Sequence, residues 1–277
     1  ERQPLMRAES GAEVKLRVRA VGLNFRDVLN VLGEYPGEPG PPGADVAGIV
    51  IDPGVTQLHA RHAPVFGMAR APLASYAYAD ARLIACKPAP LSFEQCCTLP
   101  VTWITTHVSL GRASLRSGHG LVVHAAAGGV GLKSLEYAQW LGVSVLGTAG
   151  RPQKHAYVRS MGARFLCSSR DASAFAAGSA RLLESERCHA VLNSLSGDFI
   201  STSFACLTEG GALKEIGKRS IWSTTRHVAA APCTTFEAIA LDAETTRQPW
   251  WTQRVLLLLS TRANSGVVAS LPLRSFD

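Results

Sequence analysis

The sequence lacks any apolar stretch near the roughly 18–20 residues that a membrane-spanning helix needs; runs such as Val255 to Leu259 are far shorter. Its first residues, Glu1-Arg-Gln-Pro-Leu-Met-Arg7, hold no signal-peptide core. No initiator Met is present, so an internal piece of a larger polypeptide is expected. Seven cysteines (Cys86, Cys96, Cys97, Cys167, Cys188, Cys206 and Cys233) include no C-x-x-C pair and leave an odd count. That argues against a disulfide framework or structural zinc and for a reducing compartment, with Cys167 and Cys206 as buried thiols. Lysine is scarce, six against 22 arginines, and the net charge of +7 is spread without a basic cluster. A nucleic-acid-binding tail is therefore not expected, although a diffuse positive field would attract cofactor phosphates or an acidic carrier. There is no internal repeat and no low-complexity tract. The turn Asn193-Ser-Leu-Ser-Gly197 is not a G-x-S-x-G nucleophile elbow, and His107, His119 and His124 follow no ligand spacing.

What is present most clearly is a strand running into a glycine turn and a helix, Leu121-Val-Val-His-Ala-Ala-Ala-Gly-Gly-Val-Gly131. Ala126-x-Gly128-x-x-Gly131 is a variant of the dinucleotide fingerprint G-x-G-x-x-G, with Ala126 in place of the first glycine. Small residues allow a tight turn, backbone approach to a pyrophosphate and close helix packing, and the amides near Gly129 and Val130 would face the phosphates. The plainer alternative is a βα turn whose glycines serve only packing. Further strands are expected at Val143–Thr148, Arg164–Cys167, Ala190–Asn193, Gly211–Ile216 and Thr235–Leu241. Helices are expected at Pro152–Met161, Ala172–Glu184 and Asp198–Leu207, giving a doubly wound parallel sheet. No acidic residue ends the second strand to accept from a ribose 2′-hydroxyl. Arg151 and Lys154 stand there instead, either binding a 2′-phosphate and favouring NADPH over NADH, or as solvated charges.

The first hundred residues read as a β-rich domain. Val14–Val21 alternates apolar and charged residues, Phe25, Val28, Leu29 and Leu32 follow helical spacing up to Gly33, and Tyr35-Pro-Gly-Glu-Pro-Gly-Pro-Pro-Gly43 can only be loop. Strands at Ala44–Ile51, Ser75–Ala79 and Leu83–Lys87 precede a capping box, Ser92-x-x-Gln95, that opens a helix reaching about Leu110 with an interruption at Pro100. The tail predicts a helix over Gln248–Asn264, with Trp250, Val255, Leu256, Leu258 and Leu259 inward, then a strand at Val267–Leu273.

Together with the glycine turn, the stretches Gly22-Leu-Asn-Phe-Arg-Asp-Val28, Leu32-Gly-Glu-Tyr-Pro-Gly37, Leu99-Pro-Val-Thr102, Leu192-Asn-Ser-Leu-Ser-Gly197 and Glu215-Ile-Gly-Lys218 resemble a zinc-free medium-chain dehydrogenase/reductase, specifically the enoyl reductase domain of a type I modular polyketide synthase. The resemblance implies a GroES-like substrate domain over 1–100, a Rossmann NADPH-binding domain over 101–242 and a return segment at 243–277. That segment ends before the helix and strand that usually complete the family's substrate domain. It implies NADPH-dependent reduction of a trans-2-enoyl thioester on the phosphopantetheine of an acyl carrier protein, within a larger cytoplasmic synthase with neighbours such as ketoreductase and dehydratase domains.

Ala126, Gly128, Gly129, Val130, Gly131, Thr148, Arg151, Lys154, Asn193 and Ser194 are the implied cofactor-binding residues. Tyr35 matches a tyrosine linked to protonation at C2, and Lys218 with Asp242 a lysine–aspartate pair proposed to assist it. The alternatives are a packed loop aromatic and a plain salt bridge. Asn24 is expected to line the substrate cleft, standing with Ala44-Asp-Val-Ala-Gly48 where zinc relatives carry cysteine and Gly-His-Glu, so no metal is expected. Two rival readings are a free-standing NADPH quinone or alkenal oxidoreductase and an inactive structural remnant within a synthase.

Overall fold

The computed structural model describes residues 12–36, 38, 40–183 and 187–276; the expected helix end at Glu184 lies outside them. It divides into two compact units: the residues up to Ile104 together with those from Leu241 onward, and Thr105–Ala240.

The first unit opens with β1 (Glu13–Gly22), α1 (Phe25–Val31), β2 (Asp45–Asp52), β3 (Pro64–Met68), β4 (Tyr76–Asp80) and β5 (Ile84–Cys86), followed by α2 (Phe93–Cys96) and the first residues of α3 (Pro100–Gly111). Its five strands form an antiparallel sheet in the order β4-β1-β2-β3-β5. The alternation in β1 does what its period demands, sending Val14 and Leu16 into a core with Val46, Val50, Val65, Ala79 and Ile84. The capping box holds: Ser92 Oγ accepts from the Gln95 amide at 3.2 Å, and Gln95 Oε1 accepts from the Ser92 amide at 2.8 Å. In α1, however, Phe25, Val28 and Leu32, whose spacing predicts the helix, are exposed, and only Asp27 and Leu29 are buried.

The second unit runs β6 (Gly120–Val123), α4 (Gly129–Leu141), β7 (Ser144–Ala149), α5 (Pro152–Ser160), β8 (Phe165–Ser168), α6 (Ala172–Leu182), β9 (Cys188–Asn193), α7 (Asp198–Ala205), β10 (Leu207–Glu215), α8 (Thr224–Ala230) and β11 (Thr235–Ala238). All six strands are parallel, in the order β11-β10-β9-β6-β7-β8. The fold class is thus the expected one, a doubly wound α/β sheet in one unit and a β-rich sheet in the other. Near-continuous apolar runs such as Leu121–Val123 and Val191–Leu192 are buried, as central parallel strands require. Phe175, Phe199, Ile200 and Phe204 bring α6 and α7 onto the sheet.

From Leu241 the chain rejoins the first unit through α9 (Leu241–Arg247) and α10 (Pro249–Asn264). Val255, Leu256 and Leu259 are buried, and Ser260 Oγ donates to the Cys86 carbonyl at 2.8 Å. Two expectations fail here. Trp250 is 56% exposed rather than inward, with the Arg82 guanidinium 5.9 Å from its ring centroid, a place where an indole stays half wet at little cost. Val267–Leu273 is not a strand: Pro272 carries no amide to donate, and the segment is tied instead by the Leu271 amide donating to Thr98 Oγ1 at 3.2 Å.

Candidate functional site

β6 and β9 are neighbours, yet the chain reaches β9 only after running outward through β7 and β8 and crossing back. Such a switch point opens a crevice at the carboxyl ends of the strands, and the glycine turn after β6 stands there. Ala125 takes a left-handed φ of 48°. The Ala126 amide donates to the Thr148 carbonyl at 2.8 Å, and the Gly128 amide returns to the Ala125 carbonyl at 2.8 Å. A β-carbon on Gly131 would lie 2.6 Å from Ala126 Cα and 2.7 Å from the Ala125 oxygen, so only glycine lets α4 rest on the turn. On Gly128, exposed at the helix cap, the nearest atom would be 3.3 Å away, which leaves an open face. Ala126 is tolerated in place of glycine because its methyl group meets Gly147, where a β-carbon would come within 3.1 Å of it. The amides of Gly129, Val130 and Gly131 head α4, where a helix has no internal acceptors and the dipole is positive. This geometry suits a phosphate, and the residues fit a dinucleotide.

A buried chain of hydrogen bonds holds the turn from beneath. His124 Nε2 lies 2.7 Å from Ser203 Oγ and Nδ1 lies 3.2 Å from Thr148 Oγ1. Ser203 donates to the Phe199 carbonyl at 2.6 Å, and Thr148 Oγ1 accepts from the Ala125 amide at 3.1 Å. One tautomer satisfies all of these: His124 Nε2–H donates to Ser203, and Thr148 O–H donates to Nδ1. Burial pushes His124 down to about 3, so it stays neutral. His124 is thus a packed and hydrogen-bonded group, edge-on to Phe175 and Phe199.

Two expected cofactor ligands change part. Thr148 is fully buried with its hydroxyl spent on this chain, and so it shapes the turn rather than touching a ligand. Asn193 is likewise fully buried, its Nδ2 donating to the Leu195 carbonyl at 2.7 Å and to Glu215. Ser194 is half-buried, with Oγ 3.5 Å from the His124 carbonyl.

Arg151 caps α5 and Lys154 lies in its first turn, both exposed. Cations there oppose the helix dipole, and no carboxylate ends β7. Sequence reasoning missed a third cation, Arg170, whose Nε would lie 2.7 Å from a β-carbon on Gly150. Nothing local marks Arg170; it reaches Gly150 because β8 pairs with β7, Ala149 opposite Ser168.

In the first unit, Asn24 Nδ2 donates to Asp45 Oδ2 at 2.9 Å, and the Val101 amide donates to Oδ1 at 2.9 Å. Burial pushes Asp45 up to about 7 against the pull of those two donors. Asp27 is buried and accepts from the Asn24 and Gly43 amides, both at 2.8 Å. Arg26 and Asn30 donate to the carbonyls of Pro41 and Gly40 at 3.0 and 3.2 Å, so α1 clamps the loop that carries half-buried Tyr35. Lys218 is half-buried in the second unit, whereas Asp242 is exposed in the first turn of α9 in the first.

A zinc centre does not fit these residues. No three His, Cys, Asp or Glu side chains converge among the described residues, Asn24 and Asp45 satisfy each other, and burial pushes the Cys97 thiol up to about 12, away from a metal-binding thiolate.

Residues 129–241 match the family model described as zinc-binding dehydrogenase. The pikromycin polyketide synthase component PikAII of Streptomyces venezuelae is 35% identical over 274 residues, covering 96% of this chain and 7% of that protein. The chain spans between 5% and 14% of the length of the curated relatives it matches. The crystal structure of CurK enoyl reductase superposes with a TM-score of 0.89 at 32% identity, covering 99% of this chain and 86% of that one. Mycobacterial Rv1454c, solved as a complex with NADPH, superposes with a TM-score of 0.84 at 25% identity, covering 96% and 84%.

Proposed function

This chain belongs to the enoyl reductases of medium-chain dehydrogenase/reductase type found in modular polyketide synthases, and we propose that it reduces the trans-2 double bond of an enoyl thioester on an acyl carrier protein with NADPH. The observation that carries the reading is the glycine turn at the sheet's switch point with Arg151, Lys154 and Arg170 on its flank and no carboxylate ending β7. When bound, NADPH supplies the hydride that goes to C3. The amides heading α4 hold its pyrophosphate, Gly128 lets the backbone approach, and Arg151 with Lys154 binds the 2′-phosphate. Thr148 and Asn193 act behind them by fixing the turns.

Addition at C3 leaves enolate charge on the thioester, and C2 then needs a proton delivered from one face. Tyr35, with an O–H on a clamped loop, is the proposed donor, and Lys218 with Asp242 the second group acting at C2. Asn24, its amide nitrogen engaged by Asp45, lines the substrate through its carbonyl oxygen. The partners are the carrier protein and neighbouring reductive domains such as ketoreductase and dehydratase. NADPH binding is measured by fluorescence titration, and reduction of a crotonyl-carrier thioester is compared with that of soluble quinones. Absence of NADPH binding, or quinones outpacing the thioester, overturns the reading. With a 2-methyl-enoyl carrier substrate, Tyr35→Phe should alter the rate or the configuration at C2; an unchanged product at an unchanged rate removes Tyr35 from proton delivery.

A further inference from the structure

Glu215 ends β10 and is 2% exposed, yet two donors converge on its carboxyl: Asn193 Nδ2 at 2.5 Å on Oε2 and the Gly217 amide at 2.6 Å on Oε1. Asn193 cannot simply turn over, because its Nδ2 also donates to the Leu195 carbonyl at 2.7 Å while its Oδ1 accepts from the Leu195 amide at 3.2 Å. The Ile216 amide donates to the Asn193 carbonyl at 2.8 Å, stitching the same two segments a second time. A β-carbon on Gly217 would lie 2.6 Å from Glu215 Oε1, so glycine is what admits the carboxyl under this turn. Burial pushes Glu215 up to about 7 against the pull of Asn193 and Gly217. A buried carboxyl is costly unless its partners are in place, and here each oxygen has one.

The joined segments are Asn193–Leu195 after β9 and Ile216–Lys218 after β10. We propose that Glu215 is a positioning residue: through the Gly217 amide and the Asn193 carboxamide it sets the turn that presents Lys218 and registers it against the Ser194 segment. The inference rests on Lys218 acting at C2, as proposed above.

The hydrogen-bond polarity supplies the test. Glu215→Gln alone sets two NH2 groups face to face, and Asn193→Asp alone sets two carboxylates face to face. Combining Glu215→Gln with Asn193→Asp reverses the pair: the new carboxamide donates to the new carboxylate and still accepts from Gly217, leaving only the Leu195 carbonyl without its donor. Two readouts are taken on the whole chain: acetylation of Lys218 by acetic anhydride relative to exposed Lys154, by peptide mass spectrometry, and kcat and KM for NADPH-dependent reduction of crotonyl-pantetheine. Each single variant should shift the labelling ratio at least threefold and lower kcat about tenfold with KM within twofold, and the double variant should recover part of both. Gly217→Ala, which displaces the carboxyl without changing charge, should shift the ratio likewise and covers the case in which Glu215→Gln does not fold. Unchanged labelling in folded Glu215→Gln or Gly217→Ala overturns the proposal, as does a double variant worse than either single one. If the wild type fails to reduce the thioester, the proposed function fails, while the labelling ratio still decides whether Glu215 sets Lys218.

Discussion

Gly131→Ala and Gly128→Ala separate the two jobs of the glycine turn. A methyl group on Gly131 meets backbone, 2.6 Å from Ala126 Cα and 2.7 Å from the Ala125 oxygen and Ala126 carbonyl carbon. Carbon atoms pack best at about 3.5–4.0 Å, so α4 must move outward by roughly 1 Å. Overpacking of this kind costs about 1–3 kcal/mol, which exceeds the roughly 0.5–1 kcal/mol that alanine returns to a helix. The net loss of about 1–2 kcal/mol lowers Tm by roughly 2–4 °C for a chain of this length. Gly128 has no positive φ, and its nearest neighbour would be the Ala125 oxygen at 3.3 Å. Alanine at that cap costs under about 1 kcal/mol of stability, but its methyl occupies the open face that the proposed function gives to the pyrophosphate. NADPH affinity should fall at least tenfold, or about 1.4 kcal/mol. Thermal melts and fluorescence titrations of both variants provide the measurements. A Gly131→Ala protein melting with the wild type, or a Gly128→Ala protein binding NADPH within twofold of it, refutes the assignment of packing to one glycine and ligand approach to the other.

Arg151→Ala with Lys154→Ala should weaken NADPH binding by about 10- to 100-fold, since a hydrogen bond to a charged group contributes roughly 1.5–3 kcal/mol, while NADH binding changes little; equal losses for both cofactors remove these cations from the 2′-phosphate. Among the buried groups that make stability depend on pH, His124 acts against Asp45 and Glu215. His124, held near 3 against an ordinary 6.5, contributes stability that is present above 6.5 and lost as pH falls toward 3, each pH unit being worth at most about 1.4 kcal/mol. Asp45, raised from 3.8 to about 7, contributes stability that is full below pH 4 and lost as pH rises to 7. Urea melts should therefore show Asp45→Asn gaining on the wild type from pH 4 to 7, and a constant difference across that window contradicts the buried-carboxyl account.

The parallel sheet was legible because strands buried on both faces read as unbroken apolar runs bounded by turn residues, as at Leu121–Val123 and Val191–Leu192. The same criterion hid β3: Pro64 opens it, Gly67 interrupts it, and burial from Val65 to Met68 leaves no alternation. α8 and α9 left no apolar stripe, since Val228 is exposed in one and the other is mostly polar, so their helicity rests on caps such as Ser223 Oγ accepting from Arg226. In α1 the period was right, but of the four residues that set it only Leu29 is buried. Hydrogen bonds from two backbone amides to Asp27 turn a carboxylate inward while Phe25 and Val28 face outward, and periodicity cannot foresee a polar side chain with better partners inside.

The same distinction separates what could and could not be read of the site. Glycine spacing reports backbone geometry directly, so the turn and the direction of α4 followed from the residues themselves. Thr148 and Asn193 were expected as cofactor ligands from the resemblance, but a hydroxyl or a carboxamide serves ligand or protein equally well, and which it serves depends on residues far along the chain. His124 claims Thr148 from 24 residues away and is itself held by Ser203, 79 residues on, while Glu215 claims Asn193 from 22. Both residues support the turns from behind, and the surfaces left for a ligand are amides, glycines and exposed cations. A site of that kind derives its selectivity from where the backbone is held, and a buried group such as His124, which fixes Thr148 behind the turn, is invisible to motif reading.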